Sequence, residues 1–253
     1  MVGPARVAGV RPGDTIMAVD GSSTASLPFH EAMGRILGRP GSKVTLRILR
    51  DGRPMQFELV RRTFGLHPVH ARLEHGVGIL RLDAFSHGVA AASAAAIRRL
   101  TRQGAKALVL DLRGNPGGLL DQAVGVVSLF LPAGSSVVSL AGAHKPLRIL
   151  YSRGRAASAI PLAVLVDRRS ASASEVVAGA LKDHGRASII GERTYGKSLV
   201  QEIVQLRSGA ALKLTVARYL TPAGVDISRN GVQPDIRSQH ALVAALRLFT
   251  ARR

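Results

Sequence analysis

Apolar residues recur along this chain in two different rhythms, and the change between them divides it. From Gly3 to about Arg62 the runs are short: Thr15–Asp20 alternates like a strand between the turn clusters Ala8–Asp14 and Gly21–Ser23. Leu27–Leu37 has helical spacing, which puts Phe29, Met33, Ile36 and Leu37 on one apolar stripe. Lys43–Leu49 and Met55–Val60 flank Asp51-Gly-Arg-Pro54 as a hairpin. Thr63–His75, with Gly65, Pro68 and three of the eight histidines, is expected to be a linker out of this module.

Beyond Gly76 the pattern lengthens into βα units. Val77–Leu82 reads as a strand, Val89–Leu100 as an alanine-rich helix, and Ala107–Leu112 as a strand apolar enough to be buried on both faces. A second such strand, Leu162–Val166, runs into a serine-rich segment; Ala173–Leu181 is then helical and Ser188–Ile190 extended. Leu199–Leu206 and Ala211–Leu220 form a long hairpin around Arg207–Ala210, and Leu242–Leu248 closes the chain as a helix. The expected class is α/β: a small β-rich module over residues 1–62 and a layered core over 63–253, with the linker at 63–75.

The 253 residues, 46% of them apolar, suffice for a small domain beside a larger one. No run approaches 18 apolar residues and the start lacks an apolar stretch with a cleavage site, so by itself the chain is expected to be soluble, without an export signal, and cytoplasmic. The absence of cysteine excludes disulfides, thiolate nucleophiles and cysteine-bound zinc. A net charge of +19 suits an acidic partner, yet the arginines are scattered and aromatics make up only 4%, so no specific nucleic acid is expected. Association with an anionic membrane surface stays open, and the oligomeric state is not legible.

The candidate chemistry lies in three turns. Ser172 and Glu175 have the S-x-x-E spacing of a capping box, in which serine caps a helix and glutamate reaches back to it. The same serine stands at a strand-to-helix junction, where backbone N–H groups and the positive helix end converge to receive an oxyanion, so it is also the candidate nucleophile. Lys197 lies behind Gly196 and ahead of Leu199-Val200. A lysine acts as base only when uncharged, which requires burial or a nearby cation, and these apolar neighbours are expected to lodge it in a water-poor pocket. A surface lysine at the start of a strand is the alternative. His184, in Lys182-Asp-His-Gly185, lies about three turns beyond Ser172 and is expected to serve the helix C-terminus, with Gly185 as cap. Asp111-Leu-Arg-Gly-Asn-Pro-Gly-Gly118 follows a buried strand and precedes a helix, so its glycines can present N–H groups at the carboxyl end of a sheet. Neither G-x-G-x-x-G spacing nor a Walker lysine is present, which argues against a nucleotide.

Asp111–Gly118, Ser170-Ala-Ser-Ala-Ser-Glu175, Gly191-Glu-Arg-Thr-Tyr-Gly-Lys197, Ala217-Arg-Tyr-Leu-Thr-Pro222 and Gly231-Val-Gln-Pro-Asp235 together resemble the carboxyl-terminal processing peptidases, in that family's order and over nearly the whole chain. The resemblance implies a crotonase-like α/β core and a serine endopeptidase with Ser172 as nucleophile and Lys197 as base, 25 residues apart as in the family. It implies Gln201 as third member, with Glu175 the alternative, and the N–H groups of Gly118 and Ala173 as oxyanion hole. No metal or organic cofactor is implied. Partners would be protein substrates with accessible carboxyl-terminal tails. Val10–Gly21 resembles the middle of a PDZ domain, a reader of such tails, whose carboxylate loop would precede Gly3. The module is therefore expected to be a truncated PDZ. Kinship also implies an exported, periplasmic parent protein. A peptide-binding scaffold with an idle core is the rival; an acyl-CoA enzyme rests on fold analogy alone.

Overall fold

The computed structural model describes residues 3–25, 27, 29–62, 68–142, 147–154, 156–197, 199–205, 211–228 and 230–250, with backbone alone at 29–30, 200–205, 211–214 and 216. Two compact units divide between His67 and Pro68.

Unit 1 contains α1 (Pro4–Val7), β1 (Thr15–Val19), β2 (Ser22–Ser23), α2 (Phe29–Ile36), β3 (Lys43–Arg50) and β4 (Arg53–Val60). Its strands form an antiparallel sheet in the order β2-β1-β3-β4. Alternation along β3 buries Val44, Leu46 and Ile48, which pack with Val19 and Leu59. The apolar stripe expected on α2 is only partly used: Ile36 joins this core, while Met33 and Leu37 are exposed and the Phe29 side chain lies outside the described residues. Among the described side chains of this short helix, Ile36 in its last turn is the one packed on the sheet's core. Asp14 ties the strands together. Its carboxylate takes a forked pair of bonds from Arg50, Nε to Oδ1 and Nη2 to Oδ2, both 2.7 Å.

Unit 2 begins with a correction. The segment expected to be a linker contains β5 (Val69–Glu74), paired antiparallel with β6 (Val77–Leu82) through a turn at His75 and Gly76. Polar residues at alternate positions, His70, Arg72 and Glu74, hide a sheet edge strand among apparent loop residues. The elements α3 (Val89–Arg102), β7 (Ala107–Asp111), α4 (Leu120–Val127), β8 (Ser136–Ala141), β9 (Arg148–Tyr151), β10 (Leu162–Val166), α5 (Ala173–Asp183), β11 (Ser188–Gly191), β12 (Leu199–Gln205), β13 (Ala211–Leu220), β14 (Ile236–Arg237) and α6 (Ala241–Thr250) follow.

Six strands form the main sheet in the order β14-β11-β10-β7-β6-β5, parallel except at the β5 edge. Both faces are covered, which is why its central strands are unbroken apolar runs. Leu108, Leu110, Val164 and Val166 face α3, α4 and α5, while Val109, Ala163 and Leu165 face α6. On α3, Val89, Ser93, Ala96, Ile97 and Leu100 make the buried stripe, and the helix stops at Gly104, whose φ of 91° suits glycine. A second, antiparallel sheet runs β12-β13-β8-β9. Residues Ala173–Leu181 of α5 are buried throughout, as expected of a helix apolar on all sides. All parallel strands of the main sheet point their carboxyl ends the same way, toward the turns that carry the candidate chemistry.

Candidate active site

Ser172 closes the turn between β10 and α5 and is the N-cap of α5. Its backbone has φ 56° and ψ −115°, a conformation rare for a side-chain-bearing residue and paid for by surrounding contacts. Those contacts are specific. Asn115, fully buried, accepts on its carbonyl from Ala171 N–H (3.1 Å) and from the Ser174 hydroxyl (2.9 Å). Its side chain donates to Leu82 O and accepts from Gly117 N–H, each at 2.9 Å, so one residue fastens the glycine loop to both β6 and the serine turn. Ser170, also buried, donates to Leu112 O at 2.8 Å. Asp167 accepts from Gly114 N–H and Arg169 N–H at 2.9 Å. Burial works to raise its carboxyl, but these N–H donors, the Arg169 charge and the Ser170 hydroxyl outweigh it and hold it below the usual range.

The glycine loop lies directly against the serine. A Cβ on Gly117 would stand 2.6 Å from Ala171 O, 2.8 Å from the Ser172 Cβ and 2.9 Å from Ala173 N. Gly118, at φ 142°, sits so close to Phe85 that a Cβ would meet its carbonyl oxygen at 2.3 Å. Only glycine fits either place. Among the described residues, the N–H groups of Gly118 and Ala173 have no acceptor. Gly118 is exposed, Ser172 half-buried and Ala173 buried at the first position of α5.

Glu175 joins the serine turn to the lysine segment. It is fully buried, and its two oxygens accept four hydrogen bonds. Oε1 takes the Thr194 hydroxyl (2.5 Å) and Gly196 N–H (2.7 Å); Oε2 takes Ser172 N–H (2.9 Å) and Lys197 N–H (2.8 Å). Sharing one oxygen brings the main chains of Ser172 and Lys197 together, well within the length of a lysine side chain. Tyr195 N–H adds a bond to Ser170 O at 3.0 Å. The glutamate's half of the capping box is thus made by Ser172 N–H donating to Oε2, and Glu175 N–H donates to the Ser172 main-chain carbonyl at 2.9 Å, but the glutamate does more than cap.

Two expectations need correction or limit. The expected burial of Lys197 is not met: among the described residues it lines an open hollow with Tyr195, Gly196, Leu199, Arg218 and Ser228, and it is exposed, as are Tyr195 (67%) and Leu199 (41%). Past the buried end of β11 the side chains of Arg193, Tyr195 and Lys197 turn outward, while Thr194 between them turns in to Glu175. No hydrogen bond joins the Ser172 hydroxyl to this amine among the described residues. The Gln201 side chain lies outside the described residues; its backbone follows a register shift between Val200 and Gln201, the local bend that brings an extended segment round. His184 is where the sequence put it, at the C-cap of α5, with its ring nitrogen 2.7 Å from Ser136 O.

Asn115, Ser170 and Thr194 were not singled out by sequence reasoning. Thr194, 1% exposed, also accepts from Val232 N–H at 2.7 Å. The available signal was short polar residues inside glycine-rich turns after buried strands, where a side chain is more readily used to hold backbone than to face solvent.

Comparison with known proteins agrees with this arrangement. The profile of peptidase family S41 matches residues 76–238, and that of the PDZ domain matches residues 2–60. A carboxyl-terminal-processing protease of Synechocystis sp. is 40% identical over 248 residues, covering 95% of this chain and 58% of the relative. A carboxy-terminal-processing protease of Bartonella bacilliformis is 41% identical over 241 residues, covering 92% and 55% respectively. Among solved structures, a photosystem II D1 C-terminal processing protease matches with TM-score 0.72 and 38% identity, over 93% of this chain and 66% of that one. The chain therefore spans just over half the length of these curated relatives.

Proposed function

The chain belongs to peptidase family S41, and from that premise we propose that it is a serine endopeptidase cutting protein substrates near their carboxyl terminus, with Ser172 and Lys197 as its catalytic dyad. The observation that carries the reading is the pair of bonds from Ser172 N–H and Lys197 N–H to the one oxygen of buried Glu175. Uncharged Lys197 takes the proton of the Ser172 hydroxyl as its oxygen attacks the peptide carbonyl; Gly118 and Ala173 N–H groups hold the oxyanion. The protonated lysine then gives its proton to the leaving amine, and water, activated by the same amine, releases the acyl group from Ser172.

An exposed lysine must be shielded before it can act as a base, and a substrate laid over Tyr195, Lys197 and Leu199 is the group that would shield it. Gln201 is the better third member. Both oxygens of Glu175 already serve hydroxyl and N–H donors, which makes Glu175 a positioning residue. Unit 1, matched by the PDZ profile, would hold the carboxyl-terminal tail of the substrate. By kinship alone we also place the protein outside the cytoplasm, which fractionation of the source cells tests.

Ser172→Ala should abolish cleavage of a tailed protein substrate while the urea unfolding curve stays that of the wild type. Full activity in that variant would end the assignment.

A further inference from the structure

We propose that an arginine-lined groove at the carboxyl ends of β10, β11 and β14 selects substrates carrying acidic residues a few positions from the cut bond. This rests on the protease reading above and adds a specificity determinant to it. Two adjoining hollows make the groove: one is lined by Arg168, Arg193 and Arg237, the other by Arg113 and Asp167, and both share Glu192, Ser238 and Gln239.

Its charges are unequally spent. Arg113 is committed to Asp111, Nε to Oδ1 at 2.8 Å and Nη2 to Oδ2 at 2.7 Å. Arg168 is 77% exposed and makes one loose contact with Glu192, at 3.4 Å. Arg193 and Arg237 are exposed and have neither an ion pair nor a side-chain hydrogen bond among the described residues. On the acidic side, Asp167 turns inward to the Gly114 and Arg169 N–H groups, which among the described residues leaves Glu192 as the one carboxylate open to the groove. The balance is cationic, and guanidinium groups present forked donors suited to carboxylates.

The groove borders the two segments that carry the reacting residues. Arg168 lies four residues ahead of Ser172, and Arg193 four ahead of Lys197. The bond from Tyr195 N–H to Ser170 O locks the two approaches together. An extended peptide advances about 3.3 Å per residue, so a chain reacting at Ser172 reaches these arginines within a few residues. The occupant is peptide rather than nucleic acid or membrane: no aromatic side chain lines the groove for base stacking, and its apolar lining, Val166 and Ala241, is buried.

The test compares two fluorogenic peptides with the same central residues, flanked by glutamate in one and glutamine in the other. The wild type should cleave the acidic peptide about tenfold better in kcat/KM, through KM, at roughly threefold for each of the two unpaired arginines, Arg193 and Arg237, and high salt should erase the difference. Arg193→Gln/Arg237→Gln should bring the acidic peptide to near parity and leave the neutral one unchanged; Arg193→Glu/Arg237→Glu should invert the preference. Equal cleavage of both peptides by the wild type, or a preference that survives the double glutamine change, overturns the proposal while the protease reading stands. Binding of the labelled acidic peptide to Ser172→Ala, followed by anisotropy, separates the two claims. Arginine-dependent binding beside a wild type that cleaves nothing supports the groove and sinks the protease. Arginine-dependent capture of single-stranded RNA or phosphatidylserine vesicles, with no binding of the acidic peptide, overturns the groove's assignment.

Discussion

Replacing Glu175 probes the joint between nucleophile and base more sharply than replacing either. Its two oxygens accept four donors and no solvent reaches it. Glutamine keeps the shape but converts one oxygen to an NH2 group. The cheaper orientation keeps the oxygen on Ser172 and Lys197 and turns the NH2 toward Thr194, whose hydroxyl can rotate to accept, and toward Gly196, whose N–H cannot. The half-buried Gly196 N–H and the buried Thr194 O–H then lose their acceptor, at about 1–3 kcal/mol for the one that water does not reach, and the surviving bonds fall from charge-assisted to neutral strength. Relief of the buried charge offsets part of this. A net loss of about 2 kcal/mol is expected for Glu175→Gln, and more than about 4 kcal/mol for Glu175→Ala, which strands all four donors and opens a cavity. Urea unfolding of the full chain should rank wild type above Gln above Ala. Peptide hydrolysis by the glutamine variant should show kcat down at least about tenfold with KM little changed, because about 1.4 kcal/mol of lost positioning suffices. If it matches the wild type within about 0.5 kcal/mol and twofold in kcat, the carboxylate does not hold the dyad together.

The glycine loop and the first unit offer further tests. Gly117→Ala, with a Cβ 2.6 Å from Ala171 O and φ at 99°, should cost a few kcal/mol by urea titration and abolish hydrolysis by pushing the serine turn aside; ordinary activity would show that the loop does not set the turn. In unit 1 the forked Arg50 bonds, against the opposing pull of burial, hold the Asp14 carboxyl down at about 2 from an ordinary 3.8. A lowered value means that its stabilisation is complete above the ordinary value and lost as pH falls toward 2. The gap in melting temperature between wild type and Asp14→Asn should therefore narrow between pH 4 and 2; a constant gap would contradict the coupling.

How much of this was legible follows from where each signal resides. Ala107–Asp111 and Leu162–Val166 declared themselves because burial on both faces leaves no polar position to disguise them. Ser172 was legible as a junction residue, since the strand before it and the helix after it have local patterns. The strand Val69–Glu74 was missed because its polar alternation imitates a linker. Ser136–Ala141 and Arg148–Tyr151 escaped for another reason: the first mixes serine with valine, the second is largely exposed, and only pairing with each other and with β13 makes them strands. The double role of Glu175 was invisible for the same non-local reason. Three of its four donors come from Thr194, Gly196 and Lys197, which no spacing rule connects to it. Local apolar neighbours likewise mispredicted the burial of Lys197, because burial depends on what lies across from a side chain and not beside it in sequence.

The dyad itself is tested most directly by labelling the full chain with a fluorophosphonate and locating the adduct by mass spectrometry. The account predicts one modified residue, Ser172, and loss of labelling in Lys197→Met while its unfolding curve is preserved. An adduct on another serine, or undiminished labelling of Ser172 without the lysine, would contradict it.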